Sequence, residues 1–232
     1  MLLDNNRRWV ERKLTEDPDF FKNQLSVHKP EYLFIGCSDA RLSVQNMLGL
    51  EMGQLFVHRN VANQVVNTDL NFITCLTYAV EYLKVENIII CGHYDCGGVK
   101  AAMRNHDHGI IEQWIMGIRD VARYHRKELR AIKDPDLVHR RMVELNVQEQ
   151  ALKLYANPVV QRSQAQGGKP HIHALVFDVG EGLLKELDVD FKKIIKKYSH
   201  VYSMYNFHDQ KGIIKVRKSA LAMRHVHLYT SL

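Results

Sequence analysis

Four short apolar segments, each followed by turn-forming or polar residues, constrain the fold of this 232-residue chain more than any other feature of its sequence. Between them lie segments with helical periodicity, clearest at 70–85 and from Glu112 to about Val160. Apolar strands that alternate with helices are typical of α/β folds built around a largely parallel sheet, flanked by those helices. The predicted strands are YLFIG (32–36), QLFVHRN (54–60), NIIICG (87–92) and HIHALVFDV (171–179).

The length of the chain suits a single domain with one hydrophobic core. We predict one domain over residues 1–232, with an N-terminal helical arm at 1–28 and a C-terminal extension at 203–232. Pro30 marks the break between the arm and the first strand. The segment SQAQGGKPH (163–171) predicts a loop.

No apolar segment of the sequence approaches the length needed to span a bilayer, so we expect no membrane span. The first residues, MLLDNNRRWVERKL, lack the basic and then apolar pattern of a secretory signal. These features predict a cytoplasmic protein. In that reducing compartment, the four cysteines are expected to bind metal or to react rather than to form a disulfide framework.

The charge balance, 32 basic against 26 acidic residues and a net charge of +6, permits a nucleic-acid partner, an anionic membrane or an acidic small substrate. The densest basic cluster is FKKIIKKY (191–198), in which the lysines fall opposite the apolar residues of a helix. A solvated helix face explains this pattern, and no zinc-finger or RNA-binding signature accompanies it. We therefore expect no nucleic-acid partner.

Three potential metal ligands are predicted to meet at one edge of the sheet. Cys37 and His93 each follow a strand directly, and the carboxyl ends of parallel strands share an edge. Cys96 falls near the start of the helix opened by GGVKAAM, where a thiolate is favoured and Gly97 and Gly98 allow a tight turn. Two thiolates and one imidazole suit zinc, and three protein ligands leave a coordination position open.

Asp39 and Arg41 follow Cys37 on the same loop. An aspartate there can accept a hydrogen bond from a water on the metal, and the arginine can keep that carboxylate ionised and turned away from the metal. Taken alone, the two residues would be a surface ion pair of little energetic weight. Their position beside a metal-binding cysteine favours the functional interpretation.

Other cysteines and histidines are interpreted as structural. Cys75 lies within a helical pattern and Cys91 within a strand, which is typical of inert buried thiols. Three histidine pairs could suggest additional metals, but packing or exposure explains them better. These pairs are His106/His108, His171/His173 and His225/His227.

Three motifs together, CSDAR (37–41), LFVHRNVAN (55–63) and HYDCGGV (93–99), make the chain resemble the β-class carbonic anhydrases. The similarity runs from the N-terminal helix to about Leu187. The resemblance implies an α/β domain that works as a dimer or as a tetramer built from dimers, with each pocket formed by two subunits.

By this resemblance, the zinc ligands are Cys37, His93 and Cys96. The catalytic dyad is Asp39 with Arg41. The positions that line the small apolar substrate pocket and its glycine turn are Phe56, Val61, Tyr78, Gly97 and Gly98.

The implied activity is that of a carbonate dehydratase, a zinc lyase. Zinc-bound hydroxide would attack carbon dioxide in the apolar pocket and give bicarbonate and a proton. Two alternatives remain open at this point. The same fold and zinc site could hydrolyse carbon disulfide or carbonyl sulfide, or the chain could be a non-catalytic zinc protein.

The sequence departs from the family pattern at three positions. Many members carry a glutamine where this chain has His28, which either donates a hydrogen bond in the pocket or only ends a helix. Some members bind inhibitory bicarbonate at a tryptophan, an arginine and a tyrosine; here Arg59 is retained, but Phe34 and Phe177 replace the aromatic donors. We therefore expect bicarbonate inhibition to be weak or absent. Whether Asp39 can itself become a fourth zinc ligand stays open.

Overall fold

The fold centres on a five-stranded mixed sheet in a computed structural model that describes residues 1–26 and 28–205. The strand order is β2-β1-β3-β4-β5, in which the first four strands are parallel and β5 is antiparallel to β4. The strands are β1 (Tyr32–Cys37), β2 (Leu55–Asn60), β3 (Asn87–His93), β4 (His171–Asp178) and β5 (Leu183–Glu186). The predicted α/β class and largely parallel sheet are confirmed, and β5 is a strand that the apolar pattern did not indicate.

Helices cover the sheet and bury its central strands. In β1 and β3, only the first residue of each strand is not buried, as expected for parallel strands packed on both faces. The helices are α1 (Leu2–Glu16), α2 (Phe20–Ser26), α3 (Val44–Leu48), α4 (Leu70–Thr77), α5 (Gly97–Met103), α6 (Ile111–Tyr124), α7 (Arg126–Ala131), α8 (Pro135–Ala156), α9 (Pro158–Gly167) and α10 (Phe191–Tyr202).

The register of the sheet fixes which residues share an edge. Cys37 pairs with Asn60 of β2, and Gly36, one residue earlier, pairs with Cys91 of β3. His93, at the end of β3, pairs with Phe177 of β4. The residues that follow β1, β2 and β3 therefore meet at the carboxyl edge of the sheet.

The N-terminal arm is helical, but it consists of two helices rather than one. The break falls at Asp17, Pro18 and Asp19, between α1 and α2. Proline lacks a backbone N–H and disfavours helical geometry in the residue before it, so α1 ends here. None of the α1 residues is buried.

The long helical segment predicted from Glu112 to about Val160 is likewise divided, into α6, α7, α8 and the start of α9. The side chain of Asp134 accepts hydrogen bonds from the backbone N–H groups of Asp136 and Leu137, and Pro135 occupies the first turn, so α8 starts anew. The prediction of a loop over 163–171 was wrong for its first half. Helix α9 continues to Gly167 and stops where Gly168 takes a φ of 72°.

The basic segment FKKIIKKY is the start of helix α10, and its residues Lys193, Lys196 and Lys197 are exposed. Of the predicted C-terminal extension, residues 203–205 are described; His225 and His227 lie outside the described residues. Across residues 1–26 and 28–205, every helix is too short or too polar to act as a membrane-spanning segment.

Candidate metal centre

Cys37, His93 and Cys96 come together at the carboxyl edge of the sheet. Cys37 ends β1, His93 ends β3, and Cys96 directly precedes α5. One donor atom from each side chain lies within 4.8 Å of the other two, and all three residues are buried. The convergence that we predicted from the shared carboxyl edge of parallel strands is therefore present in the structure.

The imidazole of His93 is oriented by the backbone. Its Nδ1 lies 2.9 Å from the carbonyl oxygen of Tyr94. Because a carbonyl can only accept, Nδ1 carries a proton, and Nε2 is the ring nitrogen left to bind a metal. Nε2 is buried and has no hydrogen-bond partner among the described residues. A buried nitrogen without a partner is costly unless a ligand occupies the site.

The two thiols cannot both ionise without a cation. Their Sγ atoms are 4.0 Å apart. The pKa of Cys37 is lowered, first by the hydrogen bond from the Cys96 thiol and also by the hydrogen bond from the N–H of Ala62. The pKa of Cys96 is raised, because its proton is held by the Cys37 thiolate and because the group is buried. One negative charge is thus stabilised, and the second requires a positive ion between the sulfurs.

The donor set fits zinc. Two thiolates and an imidazole are ligands that zinc prefers over the oxygen ligands of calcium or magnesium, and three ligands leave a position open. The other two cysteines lie outside this group. Burial raises the pKa of Cys75 to about 11 and that of the fully buried Cys91 as well, so both stay as neutral thiols.

Asp39 and Arg41 form an ion pair beside the donor group. The Nε atom of Arg41 donates to Oδ1 of Asp39 at 2.9 Å, and Nη2 donates to Oδ2 at 2.7 Å. The Arg41 guanidinium holds the pKa of the Asp39 carboxyl well below its ordinary value. Oδ2 of Asp39 also lies 3.7 Å from Nε2 of His93, so this carboxylate faces the space that a metal would occupy.

Arg41 has a second acidic partner that sequence analysis missed. Its Nη1 donates to Oδ2 of Asp95 at 2.9 Å, and its Nη2 lies 3.3 Å from the backbone oxygen of Asp95. Asp95 also forms an ion pair with Lys100, and its backbone φ is +61°. Its position within HYDC, between two candidate ligands, was the available signal.

Arg59 holds the loop after β1. Its guanidinium donates to the backbone oxygens of Cys37 (2.8 Å), Asp39 (2.7 Å) and Leu42 (3.1 Å). All three hydrogen bonds therefore fix the backbone of residues 37–42, the segment that carries the candidate ligand Cys37 and the Asp39–Arg41 pair.

The segment Val61–Asn63, after β2, also touches the donor group. The N–H of Ala62 donates to Sγ of Cys37 at 3.4 Å, and Ala62 holds a φ of 62°, which is unfavourable for a residue with a Cβ. The amide of Asn146 donates to the Ala62 oxygen, and the indole of Trp114 donates to the Val61 oxygen. Hydrogen bonds on both sides thus keep this strained segment against Cys37.

Comparison with known proteins places this geometry in a family. The family model described as carbonic anhydrase matches residues 32–184. A carbonic anhydrase of Emericella nidulans is 44% identical over 203 residues, which cover 88% of this chain and 89% of the relative. The chain belongs to the β-class carbonic anhydrases. The expected enzyme class, carbonate dehydratase (a lyase), is confirmed by this membership.

Solved β-carbonic anhydrases share the fold. A structure of one of two tetrameric enzymes of Sordaria macrospora has a TM-score of 0.78 and 37% identity, and the match covers 81% of this chain and 95% of that one. The Aspergillus fumigatus enzyme CafA has a TM-score of 0.80 and 34% identity, with 87% and 96% covered. These relatives bear out the sheet and the flanking helices described above.

The residues that resemblance to β-carbonic anhydrases assigns to the substrate pocket fall into two groups. Phe56 lies between His28 and Tyr78, with ring centroids 6.3 Å and 5.8 Å away. Tyr78 stacks in turn on Tyr82 at 5.6 Å, and both tyrosines are exposed. Val61, the other pocket position, is 45% exposed and lies beside the donor group.

Gly97 and Gly98 of this β-carbonic anhydrase do not form the tight turn that we expected. Gly97 and Gly98 lie in the first turn of α5, and the positive φ in this loop belongs to Asp95. Gly98 is required for close packing, since a Cβ there would lie 2.9 Å from Cγ1 of Val61 and 3.1 Å from Cβ of Ala62. Gly97 has open space where a Cβ would point, among the described residues.

Proposed function

We propose that the chain catalyses the reversible hydration of carbon dioxide to bicarbonate and a proton, with zinc held by Cys37, His93 and Cys96. The single observation that carries this proposal is the buried three-donor group, whose unpartnered imidazole nitrogen faces an ionised Asp39 at 3.7 Å. Membership of the family supports it.

Bound zinc supplies the Lewis acidity that makes a water molecule nucleophilic near neutral pH, as it does in carbonic anhydrases with three histidine ligands. The protein contributes the surroundings. Asp39, kept ionised by Arg41, would accept a hydrogen bond from a water at the open position and so orient it toward the substrate. Without Arg41, the free carboxylate would compete with water for the open position.

In this proposal, carbon dioxide is held by apolar groups, because it is a small linear molecule with no net dipole. Phe56, Val61 and Tyr78 supply such a surface, and His28 offers a hydrogen bond at its edge. Val61 and Tyr78 are 45% and 43% exposed in one copy of the chain, which supports a pocket completed by a second copy. Self-association as a dimer or tetramer is therefore part of the proposal, and tetrameric relatives support it.

A cytoplasmic location is also proposed, because free thiols at the metal site require a reducing environment. Carbon disulfide or carbonyl sulfide hydrolysis is the second candidate activity, since the same nucleophile could attack either molecule. A non-catalytic zinc protein is disfavoured by the dyad that faces the donor group.

The test measures zinc content and stopped-flow carbon dioxide hydration for the wild type, Asp39→Ala and Cys96→Ser. We expect one zinc per chain and rapid hydration in the wild type. Asp39→Ala should keep its zinc and lose about 100-fold or more in kcat/KM, because proton handling by a positioned side chain contributes that much. Cys96→Ser should lose most of its zinc.

Two matched variants serve as controls. Cys75→Ser changes a cysteine outside the donor group, and Asp120→Ala changes an aspartate in a surface ion pair. Both should match the wild type in zinc and in rate. Carbonyl sulfide hydrolysis without carbon dioxide hydration would select the second candidate, and zinc binding without either activity would contradict catalysis.

A further inference from the structure

Arg41 forms hydrogen-bonded ion pairs with residues of two different loops. One edge of its guanidinium binds Asp39, on the loop after β1. The other binds the carboxylate and the backbone oxygen of Asp95, on the loop between β3 and α5. The two loops are 54 residues apart in the sequence, so Arg41 joins them at the carboxyl edge of the sheet.

The charges of this cluster balance. Asp39 and Asp95 carry two negative charges, and Arg41 and Lys100 carry two positive charges. Lys100 is on α5, one helical turn after Cys96, and neutralises Asp95 without contacting Asp39. Asp95 can therefore hold Arg41 without adding a net negative charge beside the donor group.

A second anchor matters because Arg41 is 44% exposed. A long exposed side chain in a single ion pair loses much of its electrostatic gain to solvent screening and to its own entropy. With Asp95 and the Asp95 backbone as additional acceptors, the guanidinium plane is fixed from both edges. The backbone of Asp95 suits this task, since aspartate tolerates a φ of +61° better than most residues with a side chain.

The orientation of Arg41 decides what Asp39 can do. Oδ2 of Asp39 accepts from Nη2 of Arg41 at 2.7 Å and lies 3.7 Å from Nε2 of His93. If Arg41 swung into solvent, this carboxylate would be free to turn toward the donor group. An arginine held in place keeps Asp39 in the dyad.

We propose that Asp95 is a positioning residue that fixes Arg41 and thereby keeps Asp39 in its working orientation. Asp95 acts through Arg41 and not on the substrate. The proposal rests on the proposed hydration of carbon dioxide for its kinetic readout, and on the side-chain order of Arg41 for a readout that needs no activity.

The experiment compares Asp95→Asn, Asp95→Gly, Arg41→Lys and the double variant Arg41→Lys/Asp95→Asn. Asn keeps the shape and removes the charge, and Gly adopts the same φ without strain, which guards against a folding defect. Asp120→Asn is the matched control, because Asp120 pairs with Arg123 at the same 2.9 Å and is 50% exposed, against 53% for Asp95.

We expect kcat to fall about fivefold in Asp95→Asn and about tenfold in Asp95→Gly, with KM and zinc content unchanged. In the Arg41→Lys background, Asp95→Asn should cause no further loss, because lysine cannot bridge two carboxylates in this geometry. Nitrogen NMR should show the Nε–H of Arg41 exchanging with water at least threefold faster in Asp95→Asn, in metal-free and zinc-loaded protein alike.

Wild-type kinetics and unchanged Arg41 exchange in Asp95→Asn would overturn the proposal. So would a loss that persists in full in the Arg41→Lys background. A wild-type protein without hydratase activity would contradict the proposed function, whereas the exchange measurement would still decide whether Asp95 positions Arg41.

Discussion

Arg59 is a single side chain on which the loop after β1 depends. Its Nε, Nη1 and Nη2 atoms all donate to backbone oxygens between Cys37 and Leu42. Bicarbonate at this position would have to compete with those carbonyls. At the two positions that the family resemblance pairs with Arg59 in anion binding, this chain has the buried Phe34 and Phe177, which have no polar side-chain atom to offer an anion.

We therefore predict that bicarbonate inhibits this enzyme only as a product, with a non-cooperative dependence on its concentration. Stopped-flow hydration rates at increasing bicarbonate check this. Arg59→Met should lower kcat/KM about tenfold by releasing three carbonyls, and Arg59→Lys should recover only part of that loss because an ammonium lacks the planar set of donors.

A strongly cooperative inhibition curve in the wild type that disappears in Arg59→Met would contradict this prediction. Phe34→Trp and Phe177→Tyr, made together, would then test whether the two missing polar groups suffice to create an anion site.

A buried carboxylate on helix α8, that of Glu144, connects the helix to the sheet through hydrogen bonds. Glu144 accepts hydrogen bonds from Tyr94 (2.7 Å), Arg141 (2.8 Å) and Lys185 (2.8 Å). Tyr94 follows the candidate ligand His93, and Lys185 belongs to β5. Burial opposes the ionisation of Glu144, but the donors outweigh it, and the pKa is lowered from its ordinary value of 4.5.

A carboxylate with a lowered pKa stabilises the folded state above its ordinary pKa, and this contribution is lost as the pH falls through the folded-state value. We predict that Glu144→Gln lowers the free energy of unfolding at pH 7 by about 2 kcal/mol. The difference from the wild type should shrink below pH 4.5. Urea unfolding of metal-free protein at both pH values measures it.

Glu81→Gln is the control, since Glu81 forms a more exposed ion pair with Arg162 and should change stability by less than about 0.5 kcal/mol. A difference between Glu144→Gln and the wild type that is independent of pH would mean that Glu144 is not ionised in the folded protein.

Strand ends were predictable and loop conformations were not. Cys37 and His93 follow apolar segments, so parallel topology alone brought them together. The proposed role of Asp95 depends on a positive φ, and the contact of Ala62 with Cys37 depends on a strained backbone held by neighbouring hydrogen bonds. Hydrophobic periodicity carries no information on either conformation.

The start of α8 within the long helical segment depends on a capping aspartate, Asp134, which interrupts an otherwise continuous helical pattern.

At the scale of the whole molecule, exposed apolar side chains lie on and near β2, an edge strand of the sheet. Val57 of β2 is 37% exposed, Val61 is 45% exposed and Tyr82 is 72% exposed. An edge strand with apolar neighbours is a surface that a second copy can cover. The pocket residues were assigned by resemblance, and under the proposed function a second copy would complete the pocket at this edge.

We predict that Val57→Asp weakens self-association and lowers hydratase activity together, because a buried charge at the edge strand disfavours contact between copies. On dilution, the sedimentation coefficient and the specific activity should fall together. For Val57→Asp, this fall should begin at a higher protein concentration than for the wild type. Leu183→Asp is the matched control, since Leu183 is also exposed (63%) but lies on β5 at the opposite edge of the sheet. Full activity in a monomeric Val57→Asp variant would contradict a pocket shared between subunits.

The closeness of the two candidate sulfur ligands has a consequence for how the protein matures. Their Sγ atoms are 4.0 Å apart, and the hydrogen bond from Cys96 lowers the pKa of Cys37, so the metal-free chain presents a thiolate next to a thiol. A peroxide that reached this pair before the metal did would need the sulfurs to approach by only about 2 Å to join them. Under the proposed function, zinc bound between the two sulfurs would also protect them from this oxidation, and a chain oxidised first could no longer bind the metal.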